Sequence, residues 1–267
     1  MKEYLRQLTE QVDNVSARHC LVREYMQARL LESLQEQGLF LRWAFLGGTA
    51  LRFLFGIPRF SEDLDFSLIV PGRDTGLRTA VAGIRRVFER EGYRTEAKVS
   101  DRKAVASAFV RFPGLPYELG LSPHTSQTLS IKVEVDSNPP PGARTETTLV
   151  RRHVLLRLHH YDKASLFAGK LHAILSRPWP KGRDLFDLAW YLADGRWPAP
   201  NIDLLNAALA QTGWEGAAIT AKNWRSEVRK RIKALDWTKA RADVRPFLAR
   251  EQDMDLVALD VIDGLLR

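Results

Sequence analysis

The sequence predicts an α+β fold, with a mixed sheet in the N-terminal half and a helical C-terminal half. Two observations carry this prediction. Between residues 61 and 158, short segments that alternate apolar and polar residues recur between Pro and Gly turns, which is typical of strands. From residue 161 onward, apolar residues follow helical spacing. We therefore expect two domains, residues 1–160 and residues 161–267.

The individual elements follow from local patterns. Apolar spacing predicts a helix over residues 15–37 that ends at Gly38, and an apolar run over 41–46 leads into a Gly-Gly turn. We expect helices at residues 49–55, 74–91, 161–176, 182–192, 202–211, 223–235 and 254–266. Strands are expected at residues 61–69, 93–99, 104–112, 128–136, 145–150 and 153–158.

Composition narrows the class of protein. The chain has 267 residues, of which 45% are hydrophobic, and no apolar run reaches the roughly 18 residues that span a bilayer. The charged start MKEYLRQLTEQ lacks the apolar segment of a signal peptide, so we expect a cytoplasmic protein with no membrane partner. The single cysteine, Cys20, excludes an internal disulfide. A formal net charge of +8 favours an anionic partner, with nucleic acid first.

The most informative stretch covers residues 45–68. Asp63 and Asp65 stand at i and i+2 on a predicted strand, so their carboxylates converge on one face and need a cation between them. Gly47, Gly48 and Thr49 form a turn before a helix, where backbone N–H groups and a hydroxyl can bind phosphate. Together they predict a site for a nucleoside triphosphate (NTP) and Mg²⁺ or Mn²⁺.

A second predicted strand, IKVEVD at residues 131–136, places Lys132, Glu134 and Asp136 on one face. Glu134 is the candidate for a third metal-site carboxylate, or for a group that orients the nucleophile, and Asp136 is an alternative. Lys132 is expected to hold phosphate or to pair with Glu134. An edge strand with ordinary surface charge remains the competing interpretation.

Cations and acids in other segments complete the candidate site. Lys170 lies among apolar residues of a predicted helix, where an unpaired ammonium is costly, so it is expected to reach an anion. Asp184 and Asp187 follow at i and i+3; one can hold Lys170 or Arg52, and the other can act at the site or cap its helix. Arg52 and Arg59 are candidates to steady a triphosphate or the carboxylate strand.

A basic stretch over residues 216–250 contains ten Lys and Arg residues against three acids. Arg225, Arg229 and Lys233 stand at i, i+4 and i+8 there, on one face of a predicted helix. We expect this face to contact the RNA backbone, with a merely solvated face as the alternative.

The string GGTALR…RFSEDLDF, residues 47–66, resembles the nucleotidyltransferase signature, a Gly-Gly-Ser/Thr turn followed by Asp-x-Asp. Residues 50–62 separate Thr49 from Asp63, which fits that signature. With IKVEVD and with GKLHAILSR…GRDLFDL at residues 169–188, the chain resembles the AbiEii/AbiGii, or MenT-like, nucleotidyltransferase toxins. The resemblance extends over residues 45–192.

This resemblance implies a nucleotidyltransferase-type catalytic domain with N-terminal helices, and a helical domain that completes the active-site cleft. It implies that Lys170 contacts the triphosphate, that Asp184 is functional and that Asp187 is structural. It also implies magnesium-dependent transfer of NMP from an NTP to RNA, at the 3′ acceptor end of tRNA, which would block translation. The implied partner is a winged-helix antitoxin encoded nearby.

Two other functions stay open at this point. One is nucleotidyl transfer to a protein hydroxyl or to a small molecule. The other is a catalytically silent module that binds RNA or a partner protein. The presence of all five candidate catalytic residues argues against silence; they are Asp63, Asp65, Glu134, Lys170 and Asp184.

Overall fold

A computed structural model of the chain describes residues 2–267, which form seven strands and eleven α-helices. The strands are β1 (Trp43–Leu46), β2 (Leu64–Leu68), β3 (Glu96–Ser100), β4 (Val105–Pro113), β5 (Thr128–Asp136), β6 (Thr145–Arg152) and β7 (Val154–Tyr161). The helices are α1 (Lys2–Glu10), α2 (Val15–Glu36), α3 (Gly47–Phe55), α4 (Leu77–Arg90), α5 (Leu115–Glu118), α6 (Lys163–Ser176), α7 (Gly182–Ala193), α8 (Ile202–Gln211), α9 (Trp224–Lys233), α10 (Trp237–Val244) and α11 (Leu259–Leu265). Short 3₁₀ helices occupy Leu39–Leu41, Arg245–Phe247 and Glu251–Leu256. None of the helices in residues 2–267 combines the length and apolarity that crossing a membrane requires.

The seven strands form one mixed sheet in the order β3-β4-β5-β2-β1-β7-β6. The central strand β2 pairs antiparallel with β1 and parallel with β5. Strand β4 pairs antiparallel with both β3 and β5, and β1 pairs parallel with β7. Because β2 is interior, all of its residues are buried except Asp65, which is half-buried. One carboxylate therefore stands out on an otherwise buried strand.

Contacts divide the chain into two compact units. The first comprises residues 2–56, Phe60–Pro139 and Thr147–His160. The second comprises Ile57–Arg59, Pro140–Glu146 and Tyr161–Arg267. Two short pieces of the N-terminal half thus belong to the second unit.

In the first unit, the sheet and helix α2 supply most of the core. Helix α2 begins at Val15 because the Asn14 side chain accepts a hydrogen bond from the backbone N–H of Ala17 at 3.1 Å. On the sheet, the Phe66 ring packs 5.2 Å from the rings of both Trp43 and Phe45, measured between centroids. This packing fixes the strand that carries Asp65.

In the second unit, helices α6, α7 and α8 surround an aromatic core. The rings of Phe167 and Tyr191 stack with their centroids 4.5 Å apart. Two side chains set the helix starts: Asp162 accepts from Ser165 N at 2.8 Å, and Asn201 accepts from Leu204 N at 3.1 Å. The helices that carry Lys170 and Asp184 are therefore anchored by packing and capping together.

Most predicted elements are confirmed within a few residues, two differ, and three helices were not predicted. Strand β2 begins at Leu64, so Asp63 precedes the strand instead of lying in it. The segment predicted as a helix at 254–266 is a 3₁₀ turn followed by the shorter α11. Helices α1, α5 and α10 were not predicted; all three are short, with nine, four and eight residues, so each offers only one to three turns of pattern.

Candidate active site

The Gly-Gly turn lies directly against Asp65. Strand β1 pairs with β2 so that Leu46 is opposite Asp65, and Gly47 follows at the start of α3. Gly47 has φ +81°, and a Cβ built on it would lie 3.1 Å from both Cβ and Cγ of Asp65, with a carboxylate oxygen closer still. Glycine is required here both by its left-handed backbone and by the approach of the carboxylate.

Asp65 and Glu134 are side by side on neighbouring strands. They are Cα partners in the parallel pairing of β2 with β5, so their side chains leave the same face of the sheet. Both are half-buried, whereas their strand neighbours Leu64 and Val133 are buried in the core. The strand pairing thus brings together two carboxylates that lie 69 positions apart in the sequence.

Lys132 neutralises part of this acidic face. Its Nζ lies 2.8 Å from Oε1 of Glu134. Burial lowers the pKa of Lys132, but the hydrogen bond and charge of Glu134, and then the charges of Asp63 and Asp65, outweigh burial and raise that pKa. The ammonium is therefore electrostatically coupled to all three carboxylates, and the predicted pairing with Glu134 is observed.

The donor set fits a divalent metal that shares its ligands with a substrate. Within residues 2–267, no three His, Cys, Asp or Glu side chains converge as a ready-made metal cluster. Mg²⁺ is commonly held by one or two carboxylates together with substrate phosphates, and not by an all-protein cage. The carboxylate oxygens of Asp63 and Asp65 are donors of that kind, and Gly47 packs so closely against Asp65 that position 47 cannot carry a side chain.

Asp136 lies farther along β5 and is the weaker candidate for a third ligand. Its Cα partner on β2 is Ser67, so it is displaced by two residues from the Asp65–Glu134 pair. Burial raises the pKa of Asp136, and the hydrogen bond from Asn138 N offsets this only in part.

Two side chains, Thr49 and Gln27, hold the backbone of the segment that contains Asp63, and the sequence did not predict these contacts. The hydroxyl of Thr49, which is fully buried, donates to the carbonyl oxygen of Asp63 at 2.5 Å. Two residues earlier, the buried amide of Gln27 donates to the carbonyl oxygen of Ser61 at 3.1 Å. Thr49 was predicted as a phosphate ligand; in this structure its proton goes to the protein backbone. The available signal in the sequence was the polar Gln27 among the apolar residues in the middle of α2.

Arg52, predicted to bind nucleotide, is paired with Glu24 of helix α2. The distance from Arg52 Nε to Glu24 Oε2 is 2.6 Å, and Arg152 and His153 contact the same carboxylate at 3.0 Å. Burial raises the pKa of Glu24, but the hydrogen bond from His153 and the two arginines prevail and lower it to about 2. Glu24 therefore stays ionised inside the first unit.

This network predicts a pH dependence of stability. Because the folded-state pKa of Glu24 is about 2 against a usual 4.5, its carboxylate contributes about 3 kcal/mol. The contribution is complete above pH 4.5 and disappears as the pH falls toward 2. We expect Glu24→Gln to lower the free energy of unfolding at pH 7, with a difference from the wild type that shrinks below pH 4.5. Urea unfolding at several pH values measures this, and Glu3→Gln, at an exposed position, is the control. A difference that does not depend on pH would contradict it.

The second unit contains a separate ionic cluster around Asp187. Asp187 is fully buried; its two oxygens accept from Nε and Nη2 of Arg59 at 2.6 and 2.5 Å. The ammonium of Lys170 lies 2.8 Å from Asp187 and 3.2 Å from Asp184, and Arg177 binds Asp184 at 2.5 Å. Burial raises the pKa of Asp187, but Arg59 and Lys170 prevail and lower it.

The contacts in this cluster identify the ionic partners of Lys170 and Arg59, which the sequence alone left open. Lys170 does reach anions, and both aspartates hold it. Arg59, a candidate to steady a triphosphate, is 1% exposed and bound to Asp187. The assignment of Asp187 to a structural role agrees with its complete burial, while the catalytic roles of Lys170 and Asp184 stay predictions.

The face predicted to bind RNA contacts the C-terminal helix. Arg229 Nε lies 2.8 Å from Asp263 Oδ1, and Lys233 lies 3.9 Å from the same oxygen. Arg225 donates to the carbonyl oxygen of Leu265 at 3.1 Å. Part of this positive charge is therefore used to attach α11, and RNA binding by these three residues remains a prediction.

Comparison with known proteins agrees with the resemblance found in the sequence. The family model described as the AbiEii nucleotidyltransferase toxin of type IV toxin–antitoxin systems matches residues 29–258. Among solved structures, MenT4, a nucleotidyltransferase toxin from Mycobacterium tuberculosis, is 19% identical, with a TM-score of 0.54 over 97% of this chain and 98% of that one. JHP933 from Helicobacter pylori is 16% identical, with a TM-score of 0.53 over 92% of this chain and 90% of that one. Among curated protein sequences, none matches significantly.

The two structural likenesses show a shared fold, and the family match covers most of the chain. The observed fold is accordingly a mixed α/β fold similar to that of nucleotidyltransferase toxins. The chain belongs to the AbiEii nucleotidyltransferase toxin family, and it is a nucleotidyltransferase.

Proposed function

We propose that the enzyme transfers NMP from an NTP to the 3′ acceptor end of tRNA, with Mg²⁺ as cofactor, and thereby blocks translation. The observation that supports the chemistry best is the adjacent pair Asp65 and Glu134, with Gly47 packed against the Asp65 carboxylate. The formal net charge of +8 suits a polyanionic acceptor.

In this proposal Asp63 and Asp65 hold the metal, with Glu134 as the third carboxylate. A bound divalent ion would neutralise charge on the transferred phosphoryl group. Lys132, Gly47 and Gly48 would hold the triphosphate, since they provide an ammonium and a turn at a helix start. Thr49 and Gln27 would act on position alone, because they fix the backbone before Asp65.

Lys170 and Asp184 keep their proposed catalytic roles on the family resemblance. In the structure, Lys170 already has two carboxylate partners, so a structural role is the alternative. Comparison of Lys170→Ala with Lys170→Arg distinguishes the catalytic role of Lys170 from the structural role. A structural ammonium would affect the melting temperature in parallel with activity, whereas a triphosphate ligand would raise the KM for NTP in a protein of unchanged stability.

We also propose that the partner is an antitoxin of the winged-helix type encoded nearby, and that the enzyme acts in the cytoplasm. Both proposals follow from the toxin–antitoxin character of the family. Co-purification of the chain with the product of the adjacent gene tests the first.

Incubation of the purified protein with each labelled NTP, total RNA and Mg²⁺ tests the reaction. We expect one or a few nucleotides to label RNA of tRNA size, and chelation of the metal to abolish the label. Prior oxidation of the RNA 3′ diol with periodate should also abolish it, since the acceptor hydroxyl is destroyed. Label on protein would favour the protein hydroxyl, and no label with any acceptor would favour a silent binding module.

Lys132 gives a prediction with two opposite effects. Because its ammonium is coupled to three carboxylates, Lys132→Met should make the site more negative. Mg²⁺ binding without nucleotide is expected to tighten about three- to tenfold, while the KM for NTP rises by a similar factor. Calorimetry and initial rates measure the two constants. Lys98→Met, at an exposed position of β3 in the same sheet, is the control. If Lys132→Met weakened both Mg²⁺ binding and NTP binding, the proposal that Lys132 holds the triphosphate while the carboxylates hold the metal would be contradicted.

A further inference from the structure

The loop between α6 and α7 exposes a tryptophan. Trp179 lies between Pro178 and Pro180, and 85% of its surface is accessible. The prolines restrict the backbone. Arg231 of helix α9 holds the start of the loop, because its guanidinium donates to the carbonyl oxygens of Arg177 at 2.5 Å and Pro178 at 2.9 Å. The exposed indole is therefore presented by a constrained segment.

A small cavity adjoins this indole. It measures about 290 Å³, and its walls include Pro180, Lys181, Leu235 and Ala240. Such a volume suits a small planar group and not a whole peptide segment. The cavity thus combines an aromatic face, aliphatic walls and an ammonium.

Lys181 supplies positive charge that its surroundings do not use. Within residues 2–267 it forms no salt bridge. The cavity wall also holds the pair of Asp236 with Lys239 at 3.3 Å, and Asp243, which accepts from the backbone N–H of Arg183 at 3.4 Å and keeps its negative charge. The formal charges of the lining therefore balance, and the Lys181 ammonium is the positive group beside Trp179 that can contact an anionic ligand.

We propose that Trp179 and Lys181 bind one unpaired nucleotide of the RNA acceptor. The base stacks on the indole, and the adjoining phosphate contacts the Lys181 ammonium. This inference rests on the proposed RNA substrate. Aromatic side chains stack any base, since every base has a π-face, and a neighbouring cation then supplies the backbone contact. A protein partner is disfavoured because a lone indole beside an unused ammonium lacks the extended apolar surface of a protein interface.

The test measures binding of a mixed-sequence single-stranded oligoribonucleotide at several salt concentrations. Trp179→Ala is expected to weaken binding about 5- to 100-fold, and Trp179→Phe should retain most of the affinity. Lys181→Gln is expected to reduce the slope of log K against log salt by about 0.7, whereas Trp179→Ala leaves that slope unchanged. Leu41→Ala is the control, because Leu41 is also 85% exposed and lies in the first unit.

The outcomes separate this inference from the proposed function. Equal single-strand affinity of Trp179→Ala and the wild type would overturn the stacking site, even if the wild type transfers NMP to RNA. An equal loss of affinity for blunt duplex RNA would also overturn it, because paired bases cannot stack on the indole. A wild-type protein that neither binds nor labels RNA would overturn both. Since Trp179 packs against little of the protein, Trp179→Ala should keep the wild-type melting temperature.

Discussion

Replacement of Asp65 by asparagine is expected to reduce nucleotide transfer by about three orders of magnitude or more and to leave the fold intact. Asparagine keeps the size of the side chain beside Gly47 but removes the charge that the proposed metal needs. Charge stabilisation by a bound metal is worth several kcal/mol in the transition state, which sets the size of the effect. Rates with labelled NTP measure the loss of transfer. Melting temperatures with and without Mg²⁺ measure whether the fold is intact and whether the metal still stabilises it.

Two comparisons make the Asp65→Asn result specific. Asp101→Asn removes a carboxylate of an exposed pair with Arg78 and should leave the rate unchanged. Glu134→Gln and Asp136→Asn decide which residue completes the site: the true third ligand should cause a much larger loss than the other. Full activity in Asp65→Asn would refute the assignment of the site.

Replacement of Arg59 by methionine is expected to destabilise the protein by about 3–5 kcal/mol. Arg59 and Asp187 are both buried, so the loss of the guanidinium leaves a buried carboxylate with Lys170 as its remaining cation. Denaturant unfolding measures the loss. The double variant Arg59→Met with Asp187→Leu should recover part of it, because removal of both charges also removes the desolvation penalty.

The exposed pair of Arg196 with Asp194 provides the control for this experiment. Arg196→Met removes an arginine of similar pairing geometry at the surface, where solvent screens the interaction, and should leave the unfolding midpoint unchanged. A small effect of Arg59→Met, or a double variant less stable than the single one, would contradict the account of the buried pair.

Much of the fold and the first-unit site could be predicted because the signals are local. Alternating patterns located β5, and the Asp-x-Asp spacing correctly placed Asp65 on a strand, whereas Asp63 lies directly before that strand. The glycine pair was also recognisable, since a turn before a helix has a characteristic composition. The order of the motifs carried the resemblance to the AbiEii family, and the family match confirms that resemblance.

The partners of the cations could not be predicted, because long-range pairing leaves no local pattern. Arg59 follows a proline in a short loop, and nothing nearby signals that it is fully buried against a residue 128 positions away. Arg52 was likewise paired with Glu24 from another helix, where a triphosphate contact had been expected. Three of the five cations of α9 were predicted to bind RNA from their charge and their shared helical face, yet they contact α11; they are Arg225, Arg229 and Lys233.

The interleaving of the two units limits how the chain can be dissected. Residues 57–59 belong to the second unit although first-unit residues flank them on both sides. A cut after residue 160 would therefore place Arg59 and Asp187 on different fragments, so that the Arg59 guanidinium loses its buried carboxylate and Asp187 keeps only Lys170 of its two cations. Neither fragment is expected to fold alone, whereas co-expression of the two halves should restore the pair. A split-protein experiment with its cut at that position would therefore measure whether the two fragments reassemble. It would not measure whether either fragment folds by itself.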